Sequence, residues 1–104
     1  MININDLRKI CNDKSIAITQ HAKKRFAERF ITIENIKNAI CTGEIIEQYE
    51  NDKPFPSCLL LGVTENNEYI HVVASANSGF LYVITAYKPS EEEWGNDLKT
   101  RKGC

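Results

Sequence analysis

At 104 residues the chain is long enough for one domain and too short for two, and its 42% hydrophobic content supplies one packed core and excludes global disorder. No apolar run approaches the ~18 residues of a membrane-spanning helix, and the start MININDLRKI lacks the basic and apolar regions of a signal peptide, which predicts a cytoplasmic protein. The net charge of −1 conceals a polarity: residues 1–29 carry seven Lys/Arg against three Asp/Glu, residues 30–98 carry three against eleven, and the tail KTRK adds three cations, so a nucleic-acid ligand would need a local patch built from the N-terminal helices and the tail.

The first predicted element is a helix over about residues 4–12, with Ile4, Leu7, Ile10 and Cys11 at helical spacing and Asn3 or Asn5 as its cap. Thr19 caps a second helix over about 20–30, whose apolar stripe is Ala22, Phe26 and Phe30. Thr32 caps a third, burying Ile33, Ile36, Ala39 and Ile40, with Gly43 placed for a left-handed C-terminal residue.

Beyond Gly43 the period changes to two. EIIEQYE is a first strand, the proline-containing NDKPFPS a loop, and SCLLLGVT, YIHVVASA and FLYVITAY three further strands. Ser90 and Glu93 have capping-box spacing, which predicts a short final helix carrying Trp94. The expected fold is α+β: N-terminal helices packed on a four-stranded antiparallel meander, closed by a short C-terminal helix, in one domain over 1–104.

Loop chemistry predicts a register. Asn66-Asn67 suits a two-residue type I′ turn, which sets Gly62 opposite His71; Asn77-Ser78-Gly79 suits a three-residue loop, which sets His71 opposite Thr85 and Tyr69 opposite Tyr87. One face is then apolar throughout: Leu59, Leu61 and Val63 with Ile70, Val72, Ala74, Tyr82, Ile84 and Ala86. The other has an apolar end (Leu60, Val73, Val83, Leu81) and a polar end (Thr64, Gly62, Tyr69, His71, Thr85, Tyr87), with Gly62 leaving a hollow beside His71.

Two constellations carry chemistry. His21, Arg25 and Arg29 recur every four residues on the second helix, with Lys24 beside them; arginine forks suit bidentate phosphate contacts, and the helix N-terminus at Thr19–Ala22 favours an anion. The plain alternative is a solvated face. His71, with Thr85 and Tyr87 on the next strand, can act as a general acid or base, or can be an ordinary hydrogen-bonded strand histidine. Cys11, Cys41, Cys58 and Cys104 include no C-x-x-C pair, so free thiols are expected and neither a metal nor a cofactor is.

The run ITQHAKKRFAERFI, then CTGEIIEQY, the proline loop with LLLG, IHVV and VITAYKP with Trp94 after it, resembles the bacterial family catalogued as domain of unknown function 4258, over about residues 17–95. That family looks related to RelE/ParE-like toxins and the BrnT-type ribonuclease toxins. The resemblance implies a small RNase-like (RelE-like) fold, with recurring polar positions at His21, Arg25, Arg29, His71, Thr85 and Tyr87. The leading expectation is a metal-independent endoribonuclease of toxin–antitoxin type, with RNA as substrate and an antitoxin protein as partner. His71 and His21 would be its acid and base, Thr85 would orient His71, Tyr87 would stack or donate a proton, and Arg25, Arg29 and Lys24 would hold phosphate. A shared site requires the two histidines within about 10 Å. The alternative is a non-catalytic module that binds a protein partner through the polar end of the sheet.

Overall fold

The computed structural model describes residues 1–90 together with Leu98 and Lys99. The chain is α+β, with helices α1 (Ile4–Lys9), α2 (Gln20–Glu28) and α3 (Ile33–Thr42) and strands β1 (Ile16–Ala17), β2 (Glu44–Tyr49), β3 (Ser57–Val63), β4 (Tyr69–Asn77) and β5 (Phe80–Tyr87). The sheet has five strands in the order β1-β5-β4-β3-β2 and is mixed, because β1 runs parallel to β5 while the other pairs are antiparallel. The expected four-stranded meander is therefore β2–β5, extended by a strand of two residues that periodicity could not reveal. The predicted helix around Trp94 lies outside the described residues.

Each helix begins where a side chain can take up an orphan N–H. Asn3 Oδ1 accepts from Asn5 N, Thr19 Oγ1 from Ala22 N, and Thr32 Oγ1 from Asn35 N, with Asn35 Oδ1 returning the bond to Thr32 N. α2 ends two residues earlier than expected, in a Schellman arrangement: Ile31 N donates to Phe26 O at 2.8 Å and Phe30 N to Ala27 O at 3.3 Å, with Phe30 at φ 58°. That turn reverses the roles of two residues. Ile31 packs into the core beside Phe26, whereas Phe30, expected in the apolar stripe, is 86% exposed. α1 docks through Arg8, which donates to Ile40 O and Gly43 O and so satisfies the end of α3.

Both hairpins differ from the predicted register by one residue. Asn67 (φ 63°) closes a three-residue loop with Thr64 N bonded to Glu68 O, and Thr64 Oγ1 accepts from Asn66 N and Glu68 N. Leu61 therefore pairs with His71, and Gly62 with Ile70. In the second hairpin Ser78 and Gly79 both have positive φ, a two-residue loop of the I′ kind, and a bulge between Val73 and Ala74 adds a further shift, so His71 pairs with Tyr87 and Val73 with Thr85.

The helix-facing core therefore takes Cys58 and Leu60 from β3, Ile70, Val72 and Ala74 from β4, and Leu81, Val83 and Ala86 from β5, packed on Leu7, Phe26, Ile36 and Ile40. Leu59 and Leu61, expected in that core, point the other way and form a second cluster with Leu98, Ile46, Tyr49 and Val73. Gly62 lies under α3. A Cβ on it would stand 2.2 Å from Ala39 O, so the expected hollow beside His71 does not exist there. Gly43 is extended rather than left-handed, and it too is required by crowding, against Ala39 O and Leu61 O.

Burial in this core pushes the Cys58 thiol up to about 12 from 9.0. The unfolded chain ionises that thiol near 9.0, so stability present below that pH is lost as pH rises toward about 12. Urea unfolding at increasing alkaline pH should show the decline, and Cys58→Ala should flatten it. An unchanged slope in that variant would assign the loss to other groups.

Candidate functional site

The sheet face turned away from the helices carries the first group. His71, fully buried, meets Tyr87 across the strand pair: Nδ1 lies 3.2 Å from Tyr87 Oη, and the rings are edge-on with centroids 5.3 Å apart. The other ring nitrogen, Nε2, lies 2.8 Å from the Leu98 carbonyl. An imidazole has one donor and one acceptor nitrogen when neutral. With Nε2–H donating to that carbonyl, Nδ1 becomes the acceptor for the Tyr87 hydroxyl. Leu98 thus covers the histidine, and Lys99 Nζ reaches Glu44 at 2.5 Å on β2.

Thr85 shares this face, two residues before Tyr87 on β5. β1 pairs only with Leu81 and Tyr82, which leaves the far end of the β5 edge open to α2. Arg29, the residue that ends α2, crosses that edge: its Nη1 donates to Thr85 Oγ1 at 3.2 Å and to Ala86 O at 2.9 Å. The helix and the polar face, which lie on opposite sides of the sheet, are thereby joined at one strand edge: Arg29 holds Thr85, and the His71–Tyr87 pair lies on the same face two residues further along β5.

His21, Lys24 and Arg25 stand elsewhere. All three are exposed on α2. Arg25 is one turn from Arg29. His21 is in the first turn, about 12 Å along the axis from Arg29 at 1.5 Å per residue. Lys23 joins the exposed cations, and Glu28 is the only acidic residue of the helix. Beside this surface stands Phe30, a bulky side chain held in a left-handed backbone conformation and left in solvent. Sequence reading assigned it to the core; a phenylalanine one residue past the helix end gave no local cue of the Schellman turn.

At the opposite end of α2 an apolar cavity of about 460 Å³ opens between Ala17, Ile18, Thr19, Phe55, Tyr82 and Ile84. It depends on the β1–β5 pairing, which is why the sequence did not suggest it. It is remote from the Arg29 end of the helix and offers few polar groups. Among the described residues no group of three His, Cys, Asp or Glu side chains is placed to hold a metal, and no helix is long and apolar enough to cross a membrane.

No curated protein and no solved structure matches the chain. Residues 18–88, which run from just before α2 to just past β5 and take in the whole His71–Tyr87–Thr85–Arg29 group, match the family described as Domain of unknown function (DUF4258), and the chain belongs to that family.

Proposed function

We propose that the chain binds RNA across the outer face of α2 and cleaves it as a metal-independent endoribonuclease of toxin–antitoxin type, on a RelE-like scaffold. The observation that carries this reading is the Arg29–Thr85 contact, which anchors the end of an exposed cationic helix at the strand edge whose outer face carries the His71–Tyr87 pair. Arg25 and Lys24 hold phosphates along the helix, and exposed Phe30 supplies a stacking surface for a base. RNA cleavage of this kind uses the substrate's own 2′-OH as nucleophile, so the protein supplies a base, an acid and a cation. Arg29 is the cation. Tyr87, only half-buried, is the member of the pair a ligand can reach, and its hydroxyl passes its proton to His71 Nδ1 behind it as it takes one from the substrate. His21, separate from this pair, contacts phosphate at the start of α2.

The second reading, a protein-binding module without catalysis, draws its support from the complete burial of His71 and its bond to the Leu98 carbonyl, which together describe a structural histidine.

Phe30→Gly, Arg25→Ala and Arg29→Lys separate the two. Glycine at φ 58° relieves left-handed strain of about 1 kcal/mol, raising the melting temperature by a few degrees, while RNA affinity falls about tenfold through lost stacking. Arg25→Ala should weaken RNA binding and reduce its dependence on salt. Arg29→Lys keeps the charge and loses the fork, and should slow cleavage about tenfold or more. Filter binding and a fluorescent RNA cleavage assay check these outcomes. Wild-type protein that neither binds nor cleaves RNA at low salt rejects the nuclease and leaves the protein-binding module.

A further inference from the structure

Away from this site, two cysteines that are thirty positions apart in sequence lie on adjoining elements, Cys11 just after α1 and Cys41 within α3. Cys11 follows the end of α1, and its Sγ lies 3.9 Å from the Lys37 carbonyl of α3. In an α-helix that carbonyl belongs to the turn that leads to residue 41, so Cys11 rests against the part of α3 that carries Cys41. Cys41 is near enough to act electrostatically on the Cys11 thiol, raising it. Cys41 is exposed and Cys11 partly so, whereas Cys58 is closed inside the core. Arg8 already holds α1 against the C-terminal carbonyls of α3, so the two sulfurs are presented by docked elements.

We propose that Cys11 and Cys41 are a reversible redox pair, which hydrogen peroxide converts to an intramolecular disulfide that locks α1 onto α3. Exposed Cys41 is the sulfur that the oxidant reaches. Its thiolate attacks the peroxide, the O–O bond breaks, Cys41 becomes a sulfenic acid and the other oxygen leaves as water after protonation. Cys11 sulfur then attacks Cys41 sulfur, the S–O bond breaks, and the Cys11 proton leaves with the departing hydroxyl as a second water. Two thiols are oxidised by two electrons, and one peroxide is reduced. Burial and the neighbouring Cys41 push the Cys11 thiol up to about 11, which makes it a poor first target and leaves exposed Cys41 as the sulfur oxidised first. Lys37, in a 2.9 Å ion pair with Asp13 and a 3.6 Å pair with Glu34, is the cation beside the pair. Cys11 lies outside residues 18–88, so the switch joins the N-terminal helix of this chain to the family's matched region.

The test uses the full-length protein treated with equimolar hydrogen peroxide, followed by peptide mass mapping without reductant. The expected product is a cross-link between the peptides of Cys11 and Cys41, lighter by two hydrogens and reversed by dithiothreitol. Its loop of roughly 30 residues should raise the melting temperature by on the order of 10 °C. Cys11→Ser should abolish the cross-link and leave Cys41 as sulfenic or sulfinic acid, with the untreated variant folded as wild type. Wild-type protein that yields a Cys41–Cys104 link, an intermolecular disulfide or over-oxidised Cys41 in place of the Cys11–Cys41 bond overturns the proposal. RNA activity plays no part in this readout.

Discussion

Replacing Gly62 by alanine should abolish folding or lower the melting temperature by about 15 °C, the largest effect expected of any single methyl group in this protein. The added Cβ would stand 2.2 Å from Ala39 O and 2.7 Å from Ala39 Cα. These are backbone atoms in the middle of α3, so no rotamer change relieves the clash; the whole helix has to lift from β3. Overpacking of this kind costs about 3 kcal/mol or more, a large share of the ~5–15 kcal/mol that holds a domain together. Gly79→Ala is the comparison. Nothing lies within 4 Å of a Cβ there, and only the left-handed φ of 81° opposes it, about 1 kcal/mol. Thermal unfolding followed by circular dichroism checks both. If Gly62→Ala cost no more than Gly79→Ala, α3 would not be seated on Gly62 as described. This outcome is the opposite of what the sequence suggested, which was that Gly62 leaves a hollow beside His71.

His71→Ala should lower stability by about 3 kcal/mol, with loss of any RNA cleavage alongside. The side chain is fully buried between Tyr87 and Leu98, so truncation leaves a cavity and strips the Leu98 carbonyl of its partner. The histidine variant therefore cannot by itself separate chemistry from folding. Tyr87→Phe does so: it deletes only the hydroxyl opposite Nδ1, at about 1 kcal/mol. A folded Tyr87→Phe protein with unchanged cleavage would remove Tyr87 as the proton-bearing group. Denaturant midpoints and initial cleavage rates on the same preparations give both numbers.

The elements themselves were legible because their signals are local. Asn3, Thr19 and Thr32 cap the helices they were expected to cap, and the period-two runs after Gly43 are the strands. What failed was counting residues in turns. Asn66-Asn67 reads as a two-residue turn, yet the Thr64 hydroxyl accepts two loop N–H groups and stabilises a loop one residue longer. That single residue turned Leu59 and Leu61 out of the core and Gly62 into it. The second hairpin was miscounted as well, but the bulge beside Val73 adds another one-residue shift, and the two restore the original face. His71, Thr85 and Tyr87 were therefore grouped on the correct side although each was assigned the wrong partner. The burial of His71 was not legible at all, because Leu98 comes from far along the chain and carries no pattern pointing to β4.

The parallel pairing of β1 with β5 has a consequence for the order in which the sheet can assemble. The β3–β4 and β4–β5 hairpins close loops of three and two residues, whereas Ile16 meets Leu81 across roughly 65 residues of chain. Loop-closure entropy rises with the logarithm of that length, and two residue pairs return little for it. Until β5 is already fixed on β4, the β1 pairing has no template to join. The strand that completes the sheet is thus an effect of the fold rather than part of its nucleus, and the apolar cavity that β1 helps to wall takes shape only once β5 is in place.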